Sequence, residues 1–504
     1  MLGTRDMAFP RLNAFSYWIY LFSGILLYGS FFTGSTPDTG WFAYAPLSGP
    51  QYSPGLNLDF WGLGLVFLGI STTVSGGNFI VTIFRLRAPG MSINRMPLFV
   101  WGILVTSFAV LFALPSLSLA ALLLEFDRLG GTSFFDPTRG GSVLLWQHLF
   151  WVFGHPEVYI LVLPAFGIVS EIIPVFSRKP LFGYSVMVYA LAAIAFLGFT
   201  VWAHHMFTTG LGPTANSAFA GATMLIAIPT GVKIFNWLGT MFRGSLKFTT
   251  PMLFAVGLVS QFTIGGLSGV MHASPPVDTQ HNDTYFVIAH FHYVLFGGSI
   301  FGLLGATYYW FPKMSGKMMD EKLGKITFWT TFIGFNATFF PMHFLGLAGM
   351  PRRYYTYGES SGWGFWNLIV SCGAFFLGAS ILLFVYNLGR SIVKGEPAGP
   401  NPWDAATAEW MIPSPPPAYN FAVTPLIHHR DPIWWDKYGA SDPHIAESPA
   451  YVADADHLRE LEINASGIAP GPVHLPNPSY YPAIAALGFF IGVLGLLIDN
   501  PHIT

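Results

Sequence analysis

Apolar residues along this chain fall into eleven runs, each long enough to cross a lipid bilayer. A membrane-spanning helix needs about 20 mostly apolar residues, and short polar connections separate these runs. We therefore predict an all-α fold, a polytopic membrane bundle of about 11 transmembrane helices. The predicted spans are 14–32, 58–84, 97–124, 143–174, 182–207, 216–242, 252–273, 284–311, 325–349, 362–390 and 480–498.

A polar, Pro-rich stretch follows the tenth run and includes PSPPP at 413–417. Its composition is typical of a surface segment or linker. The sequence thus predicts a membrane core over 1–390, a polar Pro-rich cytoplasmic segment over 391–479, and an additional transmembrane helix over 480–504.

Composition supports a membrane protein and limits its chemistry. Charged residues make up only 10% of the chain, against about 25% in soluble domains. The net charge of -2 gives no basic surface for nucleic acid. The single cysteine, Cys372, excludes a disulfide framework, a four-cysteine zinc site and an iron–sulfur cluster. Any metal is therefore bound by other side chains.

Loop charges predict the orientation of the bundle, because Lys and Arg accumulate in cytoplasmic loops. Counting from the N-terminus, one side receives Arg5, Arg11, Arg85, Arg87, Arg95, Arg178, Lys179, Arg243, Lys247, Lys313, Lys317, Lys322 and Lys325, and the other receives Arg128, Arg139, Arg352 and Arg353. We expect an integral membrane protein whose N-terminus is cytoplasmic.

Five histidines lie inside the predicted spans, where ionisable residues are costly and usually functional. They are His155, His204, His205, His290 and His292. With this orientation and a rise of about 1.5 Å per residue, all five fall in the outer half of the membrane. Packed helices could bring them to one site. The alternative is that each is an interhelical hydrogen-bonding residue, which five histidines at one depth disfavour.

Spacing divides these histidines into two kinds. His155 and Tyr159 are four residues apart and share a helix face. His290 and His292 lie about 200° apart around a helix, so they face two different cofactors rather than one metal. Imidazole suits both copper and haem iron.

Several long motifs resemble one family in the order in which it carries them. They are WQHLFWVFGHPEVYILVLP (146–164), VWAHHMFT (201–208), IAIPTGVKIFNW (226–237), DTYFVIAHFHYV (283–294) and FFPMHFLGLAGMPRRY (339–354). Over about residues 1–420 the chain resembles the catalytic subunit of haem-copper terminal oxidases, cytochrome c oxidase subunit I. The resemblance assigns 1–390 to family helices III–XII.

The resemblance implies specific ligands. His155, His204 and His205 would hold the copper ion CuB, His290 the high-spin haem and His292 a low-spin haem. Tyr159 would be cross-linked to His155 and donate an electron and a proton to O₂. Trp151 would pack near this binuclear site, although plain core packing explains it equally well.

The activity implied is reduction of O₂ to water with electrons from cytochrome c, coupled to proton pumping, in a bacterial cell membrane. The haems would be a-type, and the partners would be subunit II with its own copper and subunit III. A quinol oxidase of the same family is the nearest alternative, and a non-catalytic or proton-coupled membrane homologue is another. Tyr159 and Lys233 disfavour a nitric oxide reductase.

Proton routes follow from the same resemblance. Lys233 lies about ten residues inside its span, with Thr230 beside it, and both would belong to a channel that ends at Tyr159. A second channel would begin at Asp6 and Asn13 and end at Glu157. Glu157 points away from His155, so it is not expected to bind copper.

Two outer features complete the expectations. Arg352 and Arg353 suit haem propionates as charge partners. Asn282 replaces a histidine that the family commonly uses at an outer magnesium site, so Mg²⁺ bound by His281 and Asp283 is only weakly supported.

The resemblance also predicts a missing ligand. The family has two further spans before the DMAFPR motif, and the second carries the other axial histidine of the low-spin haem. This chain begins at the motif. The chain could start at an internal methionine of a longer gene, a separate polypeptide could supply the spans, or the haem could be differently ligated or absent. We favour the first explanation.

Overall fold

The computed structural model describes residues 1–438 and 455–498, and within them the fold is helical, with only two isolated β-bridges. The predicted all-α bundle is therefore confirmed. In chain order the α-helices are α1 Pro10–Gly29, α2 Asn57–Arg85, α3 Leu98–Leu129, α4 Val143–Ser177, α5 Tyr184–Leu197, α6 Pro213–Leu225, α7 Ala227–Met241, α8 Thr250–His272, α9 Pro275–His281, α10 Tyr285–Leu295, α11 Phe301–Ser315, α12 Glu321–Phe339, α13 Pro341–Leu347, α14 Gly364–Lys394, α15 Pro432–Tyr438, α16 Ala455–Ser466 and α17 Tyr481–Ile498.

The predicted spans correspond to this helix order. In the part of the chain that the structure describes, eight helical segments are long and apolar enough to cross a membrane. The three other predicted spans coincide with α1, with α12 followed by α13, and with α17. Two spans are not regular throughout. Short 3₁₀ turns follow α5, and a π-helical turn at Phe296–Ile300 joins α10 to α11.

Helix α4 lies at the centre of the bundle, packed against α3, α5, α7, α8 and α11. It is apolar on nearly every side, as expected of a helix buried in a large bundle. Close approach to α3 depends on glycines, because a Cβ on Gly167 would lie 2.8 Å from the Cα of Phe99. The residues of α4 therefore have fixed positions relative to five neighbouring helices.

A buried ion pair links the start of α2 to the end of α3. The guanidinium of Arg128 forms a two-pronged contact with Asp59 at 2.8 and 2.9 Å, and both side chains are about 1% exposed. Arg128 also donates to the carbonyl oxygens of Ser48, Ser53 and Gly55. The loop that precedes α2 is thus held against the bundle.

The Pro-rich segment covers the bundle end that we predict to be cytoplasmic. Lys313, on α11, donates from Nζ to the carbonyl oxygens of Pro400 and Ile412 at 3.0 and 2.6 Å. At the edge of the bundle, α17 packs against α1, where the rings of Phe22 and Phe490 stack at 5.2 Å.

Candidate copper and haem site

Three of the five predicted histidines converge. His155 lies in the middle of α4, and His204 and His205 lie in the 3₁₀ turn Trp202–Met206 that follows α5. Their ligand atoms all lie within 4.8 Å of one another, and no other group of three potential ligands is this close in residues 1–438 and 455–498.

The nitrogen positions fit one metal ion. The Nδ1 atom of His155 and the Nε2 atom of His205 are 3.2 Å apart. Two imidazole nitrogens, each about 2.0 Å from a tetrahedral ion, would be separated by about 3.3 Å. With Nδ1 of His155 facing the ion, its Nε2 points away from it, and this Nε2 is buried without a hydrogen-bond partner among the described residues. Three imidazoles form a donor set that suits copper.

A threonine orients one of these rings. Thr223, on α6, donates its hydroxyl hydrogen to the carbonyl oxygen of Phe219 at 2.5 Å, so its oxygen is free to accept. The Nδ1 atom of His204 lies 3.0 Å from that oxygen. We therefore assign the N–H to Nδ1 of His204, which leaves Nε2 to bind a metal.

An aromatic group stacks on one ring of the site. The indole of Trp151 stacks on the ring of His205 with centroids 3.8 Å apart and an angle of 11°. Its Nε1 donates to the phenol oxygen of Tyr44 at 2.7 Å. The loop between α1 and α2, which contains Tyr44, therefore stabilises the orientation of one potential copper ligand.

Tyr159 lies beside the triad formed by His155, His204 and His205, as its spacing from His155 predicts. The two ring centroids are 4.8 Å apart. A Cβ on Gly198 would lie 2.8 Å from Cδ2 of Tyr159, so a side chain at position 198 would displace the phenol ring. Glycine at this position allows the 3₁₀ turn to pass close to Tyr159.

The two histidines of α10 diverge. Nδ1 of His290 donates to the carbonyl oxygen of Gly265, on α8, at 3.0 Å. Nδ1 of His292 donates to the carbonyl oxygen of Ile288 at 2.8 Å, and its ring stacks on Phe339, on α12, at 4.0 Å. Each ring is thus left with Nε2 for a ligand, on opposite sides of one helix. This pattern fits two haem irons.

Arg352 and Arg353 lie in the loop between α13 and α14. Their guanidinium groups face the ring of Phe42 at 5.6 and 4.6 Å. One Nη of Arg352 contacts the carboxylate of Asp283 at 2.5 Å, while its Nε is buried without a partner among the described residues. A buried, unpaired donor on a cation fits an additional anion such as a haem propionate.

The structure places the predicted magnesium ligands in different surroundings. The ring of His281 stacks on Phe286 at 4.0 Å, beside His272 at 5.4 Å. The carboxylate of Asp283 instead pairs with Arg352. Asp278 lies on α9, three residues before His281, and burial and the nearby Asp283 raise its pKa to about 7.

Lys233 is fully buried in α7, and its Nζ has no hydrogen-bond partner among the described residues. It lies 5.6 Å from the ring centroid of Phe166 and 5.7 Å from that of Trp237. Phe166 is seven residues from Tyr159 on α4, so the two lie on one helix face. The hydroxyl of Thr230 donates to the carbonyl oxygen of Ile226 at 2.8 Å.

The residues of the second predicted proton channel lie in separate places. Asp6 accepts a hydrogen bond from the backbone N–H of Met7 at 2.7 Å, and Asn13 lies in the first turn of α1. Glu157 is half-buried in the middle of α4. Its carboxyl has no hydrogen bond within residues 1–438 and 455–498. The amide of Asn78, on α2, pairs with the backbone of Phe9 at 3.0 and 3.1 Å.

Sequence reasoning missed the residues that orient the ligands. Thr223 has no distinguishing local pattern, and Tyr44 lies in a loop more than a hundred residues from Trp151. Backbone acceptors such as the carbonyl of Gly265 have no sequence signature. Only the aromatic enrichment of the loop before α2, in GWFAYAPL, could have drawn attention to Tyr44.

A helical membrane bundle with three converging imidazoles, an adjacent tyrosine and two diverging histidines on one helix defines a haem-copper oxidase. Residues 1–376 match the family described as cytochrome c and quinol oxidase polypeptide I. The chain belongs to this family, and it is the catalytic subunit of a terminal respiratory oxidase.

Relatives support this assignment over almost the whole chain. Cytochrome c oxidase subunit 1 of Bacillus sp. (strain PS3) is 51% identical over 500 residues, which is 99% of this chain and 78% of the relative. The subunit 1 of Bacillus subtilis (strain 168) is 50% identical over 502 residues, 99% of this chain and 77% of that protein. A putative subunit 1-beta of Streptomyces coelicolor is 54% identical over 436 residues, 86% of this chain and 76% of that protein.

A solved structure shares the fold. The cryo-EM structure of a heme-copper terminal oxidase dimer superposes with a TM-score of 0.66 at 19% identity, covering 76% of this chain and 70% of that chain. The protein is therefore an integral membrane protein with the helical bundle of haem-copper oxidases.

Proposed function

We propose that this subunit takes electrons that originate from cytochrome c, reduces O₂ to water between a copper ion and a high-spin haem, and couples this reaction to proton pumping. One observation carries the proposal: three buried imidazoles with ligand atoms within 4.8 Å of one another lie beside a tyrosine on the same helix face. Histidines with only structural roles are not expected to bring three ligand atoms this close together.

The proposed ligands follow from the free ring nitrogens. His155, His204 and His205 would hold CuB, and His290 and His292 would hold the high-spin and the low-spin haem. When bound, iron and copper supply the O₂ coordination and the electron transfer that no side chain provides. The protein's own contribution is orientation: Thr223 and two backbone carbonyls fix which nitrogen of His204, His290 and His292 is free.

Proton delivery is assigned to two groups of buried side chains. Lys233 would hold a proton at Nζ and pass it along the face of α4 toward the phenol oxygen of Tyr159, with Thr230 on the same route. Among the described residues no carboxylate pairs with Lys233, which suits a carrier that alternates between charged and neutral forms. Asp6, Asn13 and Glu157 would form a second route.

Outer residues and partners complete the proposal. Arg352 and Arg353 would bind haem propionates through the donors that remain free. The haems are proposed to be a-type, subunit II would bring the first electron acceptor, and subunit III would complete the complex. We also propose Mg²⁺ at His281 and Asp283. Binding there would require the Asp283 carboxylate to leave Arg352 and contact the ion instead.

The test is metal, haem and turnover analysis of the purified complex. We expect copper and two haems per complex, a reduced-minus-oxidised spectrum of haem a, and O₂ consumption with reduced cytochrome c. Turnover with a quinol but not with cytochrome c would make the protein a quinol oxidase instead. Absence of both haem and copper from intact complex would refute the proposal and favour a proton-coupled membrane homologue.

A further inference from the structure

A second cluster of metal-binding side chains lies at the end of the bundle covered by the Pro-rich segment. It combines the loop before α15, α15 itself and α16. The rings of His428 and His457 are 4.8 Å apart. This separation lies within the range of 4.3 to 5.4 Å between the three rings of the copper triad.

The hydrogen bonding of His457 leaves one nitrogen free in a protected position. Its Nε2 lies 3.1 Å from Oδ1 of Asp436, and the two side chains are 12% and 16% exposed. Its Nδ1 is buried without a hydrogen-bond partner among the described residues. A carboxylate that binds the outer ring nitrogen of a histidine commonly prepares the other nitrogen for a metal ion.

A carboxylate on the same helix supplies a third ligand. Glu460 follows His457 by three residues on α16, so both lie on one helix face. One carboxylate oxygen of Glu460 is buried and unpaired within residues 1–438 and 455–498. A simple structural ion pair between His457 and Asp436 does not account for this second unpaired atom.

The electrostatics permit a cation here. Two carboxyl groups, those of Asp436 and Glu460, lie near the ring of His428. Arg95 also lies near this site, and its Nη1 donates to the carbonyl oxygens of Gly90 and Ile427 at 2.9 and 3.2 Å, which fix its position.

We infer that His428, His457 and Glu460 form a binding site for a divalent first-row cation such as Zn²⁺, with Asp436 orienting His457. Two imidazoles, one carboxylate and a water molecule complete a tetrahedral zinc site. The three ligands do not yet converge as the copper triad does. Rotation of the His428 ring and the Glu460 carboxylate on binding would bring them together.

Metal binding at this site would hold α16 against the bundle. The present attachment of α16 includes a bond from the backbone N–H of Val423 to Oδ1 of Asn464 at 3.1 Å. Just beyond the helix, the hydroxyl of Tyr419 donates to the carbonyl oxygen of Gly467 at 2.6 Å. A metal ion would add a link from α16 to the loop before α15.

Zinc retention by the purified complex tests the site without reference to O₂ reduction. Complex washed with EDTA is incubated with Zn²⁺ and desalted, and zinc per haem is measured by mass spectrometry. We expect wild type to retain about one zinc more than the His428→Asn, His457→Asn double variant. His474→Asn, which changes an exposed histidine of the same segment, should match wild type. Zinc bound at the copper triad is the same in wild type, the double variant and His474→Asn, so it does not contribute to the difference between them.

Asp436→Asn distinguishes ligand loss from unfolding of the segment. It keeps all three ligands but should weaken zinc binding about 10- to 100-fold, as loss of an orienting carboxylate does. If the double variant becomes protease-sensitive without zinc, Asp436→Asn decides the question. Equal zinc retention by wild type and the double variant, or unchanged zinc affinity in Asp436→Asn, would overturn the inference.

Discussion

The triad of His155, His204 and His205, which we propose binds copper, and the histidine pair of α10 are oriented in different ways. In the α10 pair each Nδ1 contacts a backbone carbonyl, Gly265 for His290 and Ile288 for His292, and the Ser268 hydroxyl also lies 3.0 Å from Nδ1 of His290. In the triad the orienting contacts come from side chains, because Thr223 binds His204 and Trp151 stacks on His205. Backbone acceptors persist when side chains change, whereas the triad depends on residues that a single substitution removes.

The largest expected effect is loss of a triad ligand. We expect His204→Ala to lower O₂ consumption by more than ~100-fold, since removing even an orienting residue of a metal site costs 10–100-fold. Copper per haem, measured by mass spectrometry, should fall while both haem spectra remain. Normal copper content with normal turnover would show that His204 is not a ligand.

The α10 pair can be separated from the triad by spectroscopy. We expect His290→Ala to remove the high-spin haem signal and His292→Ala to remove the low-spin signal, because the two rings face opposite sides of one helix. Optical and electron paramagnetic resonance spectra of each variant check this. Loss of the same haem in both variants would contradict the divergent arrangement.

Lys233 can be compared with Lys313, a second buried lysine. The Nζ of Lys233 has no hydrogen-bond partner among the described residues, so Lys233→Met should raise the thermal midpoint of unfolding while slowing turnover by about 100-fold. Lys313→Met removes hydrogen bonds to backbone carbonyls and should instead destabilise the protein by about 2 kcal/mol. Equal destabilisation by the two substitutions would show that Lys233 is structural.

A smaller effect tests side-chain orientation in the triad. Thr223→Val keeps the shape but removes the acceptor for Nδ1 of His204, so we expect copper affinity to fall about 10-fold. Copper retention during graded chelation measures this loss. Thr209→Val, whose hydroxyl bonds only the nearby carbonyl of Met206, serves as the matched control. Equal copper loss in both variants would remove Thr223 from its assigned role.

The sequence was sufficient for the helical bundle because apolar runs of bilayer length leave few alternatives. It also predicted the three histidines that converge, since intramembrane histidines are rare. Their helical spacing separates this triad from the α10 pair. It did not indicate that the span with His204 and His205 ends in 3₁₀ turns, or that π-helical geometry interrupts α10 and α11. Such local departures depend on packing against neighbouring helices.

Sequence alone therefore predicted which residues lie at one depth and which share a helix face, because both follow from the fixed rise and rotation of a helix. For His292 the acceptor is the carbonyl of Ile288 on its own helix, but for His204 and His290 only the tertiary structure decided which ring nitrogen is free. That choice depends on acceptors brought from other helices, such as Thr223 and Gly265, and contacts between distant parts of the chain leave no local pattern.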